Sequence, residues 1–596
     1  MKQFFKFVLA TVVGIFAATI ILGVLSVIFF VGIISSASEN KTPVEANSIL
    51  TLEFRKPIAE RTPYNPLAEF NFLGFEDKNL GLNDILANIK KAKTDDNIKG
   101  IFLNESYLMS GQATTEEIRN ALIDFKKSGK FIVAYGEVYT QSFYYLASVA
   151  DKVYINPQGY FEFSGFSSEV TFLKGTLDKL GIEAQVIKVG TYKSAVEPFV
   201  LTKMSDANRL QVTSYLNSMF GHFLDGISKS RKVNRDSLFT YADNMRIRYP
   251  EDAVRLKLVD GVKYKDEVLD DLKKRTKTDL KDDLNAVTMN EYNGAATNGG
   301  ADKDEEESGS SRNRIAMIYA SGEITGGDGD DNTIGSERIS KALRKARMDE
   351  KIKAVVLRVN SPGGSSLASD VIWREVALTK KAKPIIVSMG DVAASGGYYI
   401  SCAADSIFAE PNTITGSIGI FAVLPNMQKF FNDKLGMTFD NVKTSKYADL
   451  GDISRPLTPA EREILQNQVN HGYDVFTGVV AKGRKKSQRY IDSIGQGRVW
   501  TGKQALKIGL VDRLGNIDDA VKSAAKKAKI KNYKVIAYPE QESELKKFGS
   551  TFSAEVKTRL IKSELGDDYH YYDQIKQVKS IMRVPQARMP FNVVIK

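Results

Sequence analysis

A chain that carries a second copy of its own first half is constrained to fold as two units of one architecture, and these 596 residues contain such a repeat. Ile98-Lys99-Gly100 matches Ile352-Lys353-Ala354, and VAYGEVYTQSFYYLASVAD from Val133 matches VSMGDVAASGGYYISCAAD from Val387, both at a shift of 254 positions without a gap. The register then slips only by single residues. At 253, Phe223 falls on Phe476 and Arg231 on Arg484; at 252, LVD from Leu258 falls on LVD from Leu510. Within the first copy, apolar runs at 49–54, 98–103 and 130–138 have the length and β-branched content of buried strands. They alternate with amphipathic helical patterns at 82–93 and 114–127. Each copy is therefore expected to be an α/β layer with a mainly parallel sheet. The expected boundaries are 47–284 for the first repeat, 285–313 for a linker rich in Gly, Asn, Ser and acidic residues, and 314–535 for the second repeat. A C-terminal tail, 536–596, is expected to be largely helical, with its closing PFNVVIK an edge strand.

Ahead of the repeats, residues 7–38 carry no charge, and 7–34 are almost wholly apolar. As a helix, 7–34 would be roughly 42 Å long at about 1.5 Å per residue, enough for a hydrocarbon core of about 30 Å. The expectation is a transmembrane anchor within 1–38. Lys2 and Lys6 would keep the short end in the cytoplasm and the body on the other side. A cleavable signal peptide is the competing reading, because Ser36, Ala37 and Ser38 are small, but its apolar core would normally span only about 7–15 residues.

Composition narrows the chemistry. The net charge of +11 comes from Lys and Arg dispersed among 72 acidic residues, which indicates a solvated surface, or an anionic membrane surface, ahead of nucleic acid. One cysteine, Cys402, excludes an internal disulfide framework and any cysteine-built metal site. His222, His471 and His570 stand in unrelated contexts, so a serine enzyme here needs a base other than histidine. No metal or nucleotide motif is present, and no cofactor is expected.

The two copies differ where chemistry would sit. In the second, a strand-like run at 384–389 passes through GDVAASGG into a helical segment, which puts Ser395 at a strand-to-helix turn. There, unpaired backbone N–H groups can stabilise an anion forming beside the hydroxyl. A tight turn of small residues packed beneath a helix is the alternative. In the first copy Ser395 is replaced by Gln141, and Gly396 and Gly397 by Ser142 and Phe143. Likewise RVNSPGGS, from Arg358 to Ser365, gives way to LNESYLMSG; its glycines follow a strand and precede a helix, where their N–H groups can line an oxyanion hole. Both turns are intact in one copy and degraded in the other. With histidine excluded, lysine is the available base, but its pKa of about 10.4 must fall by roughly three to four units to leave it neutral near pH 7. Lys193, in GTYKSAVEPFV, has apolar neighbours able to desolvate it, while Glu197 would oppose the shift if it faced the amine. A snorkelling surface lysine is the alternative.

NSPGGS, GDVAASGGYY, TITGSIG at 413–419 and GTYKSAVEPF, together with the anchor and the duplication, resemble the long form of the signal peptide peptidase A (protease IV) family. The likeness runs from the anchor to about Asp519. It implies two tandem Clp protease/crotonase-like domains and a serine-lysine dyad, with Ser395 as nucleophile and Lys193 as general base. It further implies oxyanion donors at Gly363, Gly364 and Gly396, and Ser417 orienting the lysine amine. Lys446 is the alternative base, since it occupies the repeat position equivalent to Lys193. Expected partners are apolar peptides such as cleaved signal peptides, the bacterial inner membrane with the body on its extracytoplasmic side, and further copies of the chain, as a tetramer. Two other classes stay open: a crotonase-type acyl-CoA enzyme and a non-catalytic, peptide-binding membrane scaffold.

Overall fold

The computed structural model describes residues 2–37, 44–54, 56–63, 79–295, 312–541 and 586–588. Lys2–Ala37 form a single helix of 36 residues whose described side chains, Phe7, Ile15, Phe16 and Leu22 among them, are exposed. Among the described residues no helix is long and apolar enough to cross a membrane.

The first copy builds a six-stranded, wholly parallel sheet in the order Gly261–Val262, Lys152–Phe161, Phe131–Tyr139, Ile98–Asn104, Ser48–Leu52, Ala286–Thr288. Its central strands are apolar on both faces because helices cover both; Ile101, Leu103, Ile132 and Val133 have no exposed surface. Each such side chain contributes about 1.5–3 kcal/mol by leaving water. The second copy repeats the order. Ile385–Ala394, Ile352–Ser361, Arg314–Ser321 and Lys534–Tyr538 run parallel side by side, with Ser406–Ala409 and then Arg513–Leu514 on the far flank. One difference separates the sheets. The first copy's continuous strand Lys152–Phe161 corresponds to two strands in the second, Ser406–Ala409 and Ile414–Gly416, and the latter turns along the extended end of Ile385–Ala394. Its last residue, Gly416, lies beside Ser395.

The remaining sheet joins the copies. Its order is Thr333–Gly335, Glu323–Thr325, Gly363–Ser365, Gln586–Arg588, Phe421–Asn426, Glu183–Lys188. Glu183–Lys188 is an arm of the first copy, pairing antiparallel with Phe421–Asn426 over six positions from Lys188↔Phe421 to Glu183↔Asn426. The two units thus interlock rather than stand on either side of a linker. Charge fastens them further. Arg358, without exposed surface, binds Glu60 at 2.8 Å and Glu117 at 2.6 Å, both from the first copy. Asp391 of the second copy accepts the N–H groups of Ala113 and Thr114 at 2.8 and 2.9 Å, capping the first-copy helix Gln112–Lys126.

Two expected boundaries differ. Residues 286–294, read as linker, form the edge strand Ala286–Thr288 and the helix Met289–Gly294, because the strand Ser48–Leu52 offers an unpaired edge. The described part of the tail is extended rather than helical: Gln586–Arg588 is a strand inside the joining sheet. The expected tail helix, the closing PFNVVIK strand and His570 lie outside the described residues.

Candidate active site

Ser395 sits between the strand Ile385–Ala394 and the helix Gly396–Ser401 at φ 54 and ψ −113, a left-handed backbone that a non-glycine residue holds at a cost of about 1–3 kcal/mol. It is fixed there by its own N–H, which donates to the Gly416 carbonyl at 2.8 Å. Its hydroxyl makes no capping bond to the helix it begins, so the Oγ is free for another partner.

That partner is Lys193. The arm that ends at Lys188 turns through Gly190 and carries the lysine across from the first copy of the same chain. The Nζ stands 2.9 Å from Ser395 Oγ, 3.1 Å from the Ser417 carbonyl and 3.1 Å from Ser417 Oγ. Lys193, Ser395 and Ser417 have no exposed surface. Burial drives the Lys193 pKa well below the ordinary 10.5, and no carboxylate acts to raise it. Glu197 is turned to other work, its oxygens accepting from Ser205 Oγ at 2.6 Å and Asn208 Nδ2 at 2.9 Å. A neutral amine has two N–H groups and one lone pair. In that form, donation of both N–H groups to Ser417 would leave the lone pair for the Ser395 hydroxyl. Ser417 itself is held at φ 50, its N–H donating to the Arg498 carbonyl at 2.7 Å.

Three further residues hold the lysine and its neighbours in place. A Cβ on Gly497 would stand 2.6 Å from the backbone N, Cα and Cβ of Lys193, and one on Gly419 would stand 3.1 Å from its Cδ. Gln211, on the first-copy helix Asp206–Arg231, donates to the Tyr192 carbonyl at 3.1 Å and to Ser194 Oγ at 2.9 Å, while its Oε1 accepts from Val499 N–H at 3.2 Å. Copy comparison could have found Gly497: at the 252-residue shift it falls on Met245, so the glycine is confined to the copy with the serine.

The expected oxyanion glycines lie in two places. Gly363, at φ 100, lies close against Gly396, and the Ala587 carbonyl oxygen is near both. A Cβ on Gly363 would collide with that oxygen, and one on Gly396 would stand 3.0 Å from it. The Gly363 N–H also meets Ser361 Oγ at 3.1 Å. Gly364 is paired on both sides, with Ile324 and with Ala587. Lys446 is not part of this cluster: it is exposed on a loop, with its Nζ 5.1 Å from the Tyr447 ring centre. In the first copy, the Gln141 amide donates to the Gly165 carbonyl at 2.8 Å and accepts its N–H at 2.9 Å, closing the position a nucleophile would occupy.

The chain as a whole is similar to known proteins. Residues 124–279 and 377–531 match the profile of peptidase family S49, one match in each copy, and 307–415 match that of Clp protease. The chain is 37% identical to Protease 4 of Salmonella typhi over 496 residues, covering 80% of this chain and 77% of that one. It is 37% identical to Protease 4 of Haemophilus influenzae over 454 residues, 74% and 72% of the two chains. It is 34% identical to the chloroplastic serine protease SPPA of Arabidopsis thaliana over 497 residues, 82% and 70%. With a Clp protease-like α/β fold in tandem and matches over most of its length, the chain belongs to peptidase family S49 and is a serine peptidase of the tandem protease IV form.

Proposed function

We propose that the protein is a membrane-anchored endopeptidase in which Ser395 is the nucleophile and Lys193 the general base. One observation carries this reading: a fully buried lysine amine, 2.9 Å from a serine hydroxyl held in a strained turn, with no carboxylate to keep it charged. Neutral Lys193 takes the Ser395 proton as Oγ attacks a peptide carbonyl. The resulting ammonium then protonates the leaving amine. The carbonyl oxygen enters between Gly363 and Gly396, where a side chain at either position would obstruct it, and the backbone N–H groups there stabilise the oxyanion. Water, activated by the same amine, releases the acyl group.

Substrates bind extended, adding a strand between Gly363–Ser365 and Phe421–Asn426. The uncharged run 7–38, almost wholly apolar over 7–34, supports anchoring in the inner membrane with the body on the extracytoplasmic side, which makes apolar remnants such as cleaved signal peptides the favoured substrates. Assembly is as a tetramer of tandem chains. The exposed Leu435, Met437, Phe439 and Val442 precede Lys446 in the second copy's counterpart of the arm and offer an apolar contact surface for it.

The test is acylation of purified protein by a serine-directed fluorophosphonate probe, alongside hydrolysis of an apolar peptide. Ser395→Ala and Lys193→Ala should each abolish both activities in folded protein, and Lys446→Ala should leave both near wild type. Loss of labelling in Lys446→Ala with retention in Lys193→Ala would assign the base to the wrong copy. A wild-type protein that neither labels nor cleaves would favour the scaffold.

A further inference from the structure

The two copies share a strand order but not a charge. Residues 522–534 hold six lysines and no carboxylate, whereas their first-copy counterparts at the 252-residue shift, 270–282, set five cations against four carboxylates. The first copy also pairs the lysines where its strands begin. Lys93 and Lys127 meet Asp124 at 2.7 and 3.1 Å, and Lys126 meets Asp151 at 2.8 Å. At the 254-residue shift Asp124 falls on Leu378, so the second copy lacks that carboxylate. Among the described residues, Lys527 is the one member of 522–534 with an ion pair, to Asp405 at 3.7 Å.

Topology gathers these charges at one edge of the second sheet. The strand Lys534–Tyr538 runs parallel to Arg314–Ser321 with Lys534 opposite Arg314, and Arg314 in turn lies opposite Ile352. Lys351, Lys353 and Lys534 therefore stand where adjacent strands begin, and all three are exposed. The helix Ile517–Ala528 buries Ala520, Val521, Ala524 and Ala525. Only five residues separate its end from Lys534, so the exposed Lys526, Lys529 and Lys531 lie toward the same edge. Met348, 73% exposed, and Val535, 42% exposed, add apolar surface among them. The carboxylates there are Asp349, Glu350 and Asp405, fewer than the lysines they face. Ser395 follows the strand Ile385–Ala394 and so lies at the opposite end of the sheet. In the first copy the chain enters at the corresponding edge: Ser48 lies opposite Ile98, and the Val44 carbonyl accepts from Asn97 Nδ2 at 2.9 Å. Six residues separate Val44 from Ala37, the end of the first helix, a span of at most about 25 Å.

From this distribution we propose that the starting edge of the second sheet is a membrane-contact surface whose lysines lie on the phosphate headgroups of anionic phospholipids. This rests on membrane anchoring as read above. Lys526, Lys529, Lys531 and Lys534 supply the main attraction, which acts within a Debye length of the bilayer and weakens with salt. Met348 and Val535 enter the interfacial layer beside them. The first copy reaches the bilayer through the segment before Val44. The second copy, far from that segment in sequence, is held there by charge, with its Ser395 end turned away from the lipid.

Lysine acetylation read peptide by peptide in a mass spectrometer tests this, on the full-length protein in nanodiscs of phosphatidylcholine alone or in equal mixture with phosphatidylglycerol. Lys529 and Lys534 should be modified at least about threefold more slowly in the mixed discs, and high salt should remove the difference. Lys274 and Lys277, on the balanced first-copy counterpart, should react equally in both. The double variant Lys526→Glu, Lys531→Glu should lose the protection of Lys529 and Lys534 and keep wild-type peptide hydrolysis in detergent. Equal rates in the two discs would overturn the proposal, as would protection that survives high salt or the double substitution. Stronger protection by duplex DNA than by phosphatidylglycerol would replace lipid as the partner. Protein that enters neither disc would sink the anchoring reading. Flotation of that protein with mixed vesicles would still support the basic surface, and its failure to float would take both readings with it.

Discussion

Gly497→Ala isolates the placement of the lysine from everything else at the site. The added Cβ would lie 2.6 Å from Lys193 N, Cα and Cβ, whereas ordinary carbon contacts begin near about 3.5 Å, so the lysine backbone must retreat by roughly 1 Å. The Nζ to Ser395 Oγ distance, now 2.9 Å, would then open beyond hydrogen-bond range. A displacement of about 1 Å at reacting groups costs on the order of 100-fold in rate, or about 2.7 kcal/mol of barrier. Backbone strain is a small part of this, since Met245, the repeat counterpart of Gly497, holds φ 47 in the first copy with a full side chain. The assay is the rate constant for fluorophosphonate acylation together with kcat and KM for a peptide, checked against a thermal melt. Acylation and kcat should each fall about 100-fold with KM unchanged, because the strands that bind the peptide do not touch Gly497. Folded Gly497→Ala protein that acylates within about threefold of wild type would refute the dependence on lysine position. An equal change in KM would show that the clash had spread to the cleft.

The acylation rate of wild type should rise with pH and level off well below the range of a free lysine, because burial depresses the Lys193 pKa and only the neutral amine accepts the serine proton; a flat profile across that rise would sink the assignment. Ser417→Ala removes one of the two acceptors of the amine's protons and leaves the carbonyl, so acylation should slow by about fivefold, the equivalent of one hydrogen bond of about 1 kcal/mol, measured with the same probe. Arg358→Met leaves Glu60 and Glu117 buried without their cation, and should destabilise the protein by about 3–5 kcal/mol in denaturant titrations near pH 8. Burial already pushes Glu117 up to about 7, so the folded state holds its proton longer than the unfolded chain does. That group's contribution to stability is present at low pH and lost as pH rises from about 4.5 to about 7; the deficit of Arg358→Met should accordingly shrink at pH 5.

What the sequence could show was local or repeated. The duplication, the strand-to-helix turn at Ser395 and the glycine turn at 363–364 are each written within a few residues, and comparing the copies separated the turns that carry chemistry from those that had lost it. The meeting of Lys193 with Ser395 spans 202 positions, and no local pattern encodes it. It depends on an arm that leaves its own copy, and the strand Glu183–Lys188 looks in sequence like any other edge. Glu197 could not be cleared as a neighbour of the amine until its carboxylate was seen held by Ser205 and Asn208.

The tail makes the limit clearest, because Gln-Ala-Arg has no β-branched or aromatic residue and no alternation to mark a strand. Its extended form comes from the two edges it lies between, so tertiary context overrides propensity. The same edges explain why one copy alone holds the site. A nucleophile at Ser395 requires a left-handed serine, an uncharged buried lysine and an open strand position at once, and each of these weakens a fold. The first copy has no serine at the equivalent position, where Gln141 seals the turn by two hydrogen bonds to Gly165, and it contributes instead the buttress of Glu60 and Glu117 around Arg358 and the arm that delivers Lys193. The serine turn thus sits in one copy, while the other supplies the lysine and part of the buried charge network that joins the two.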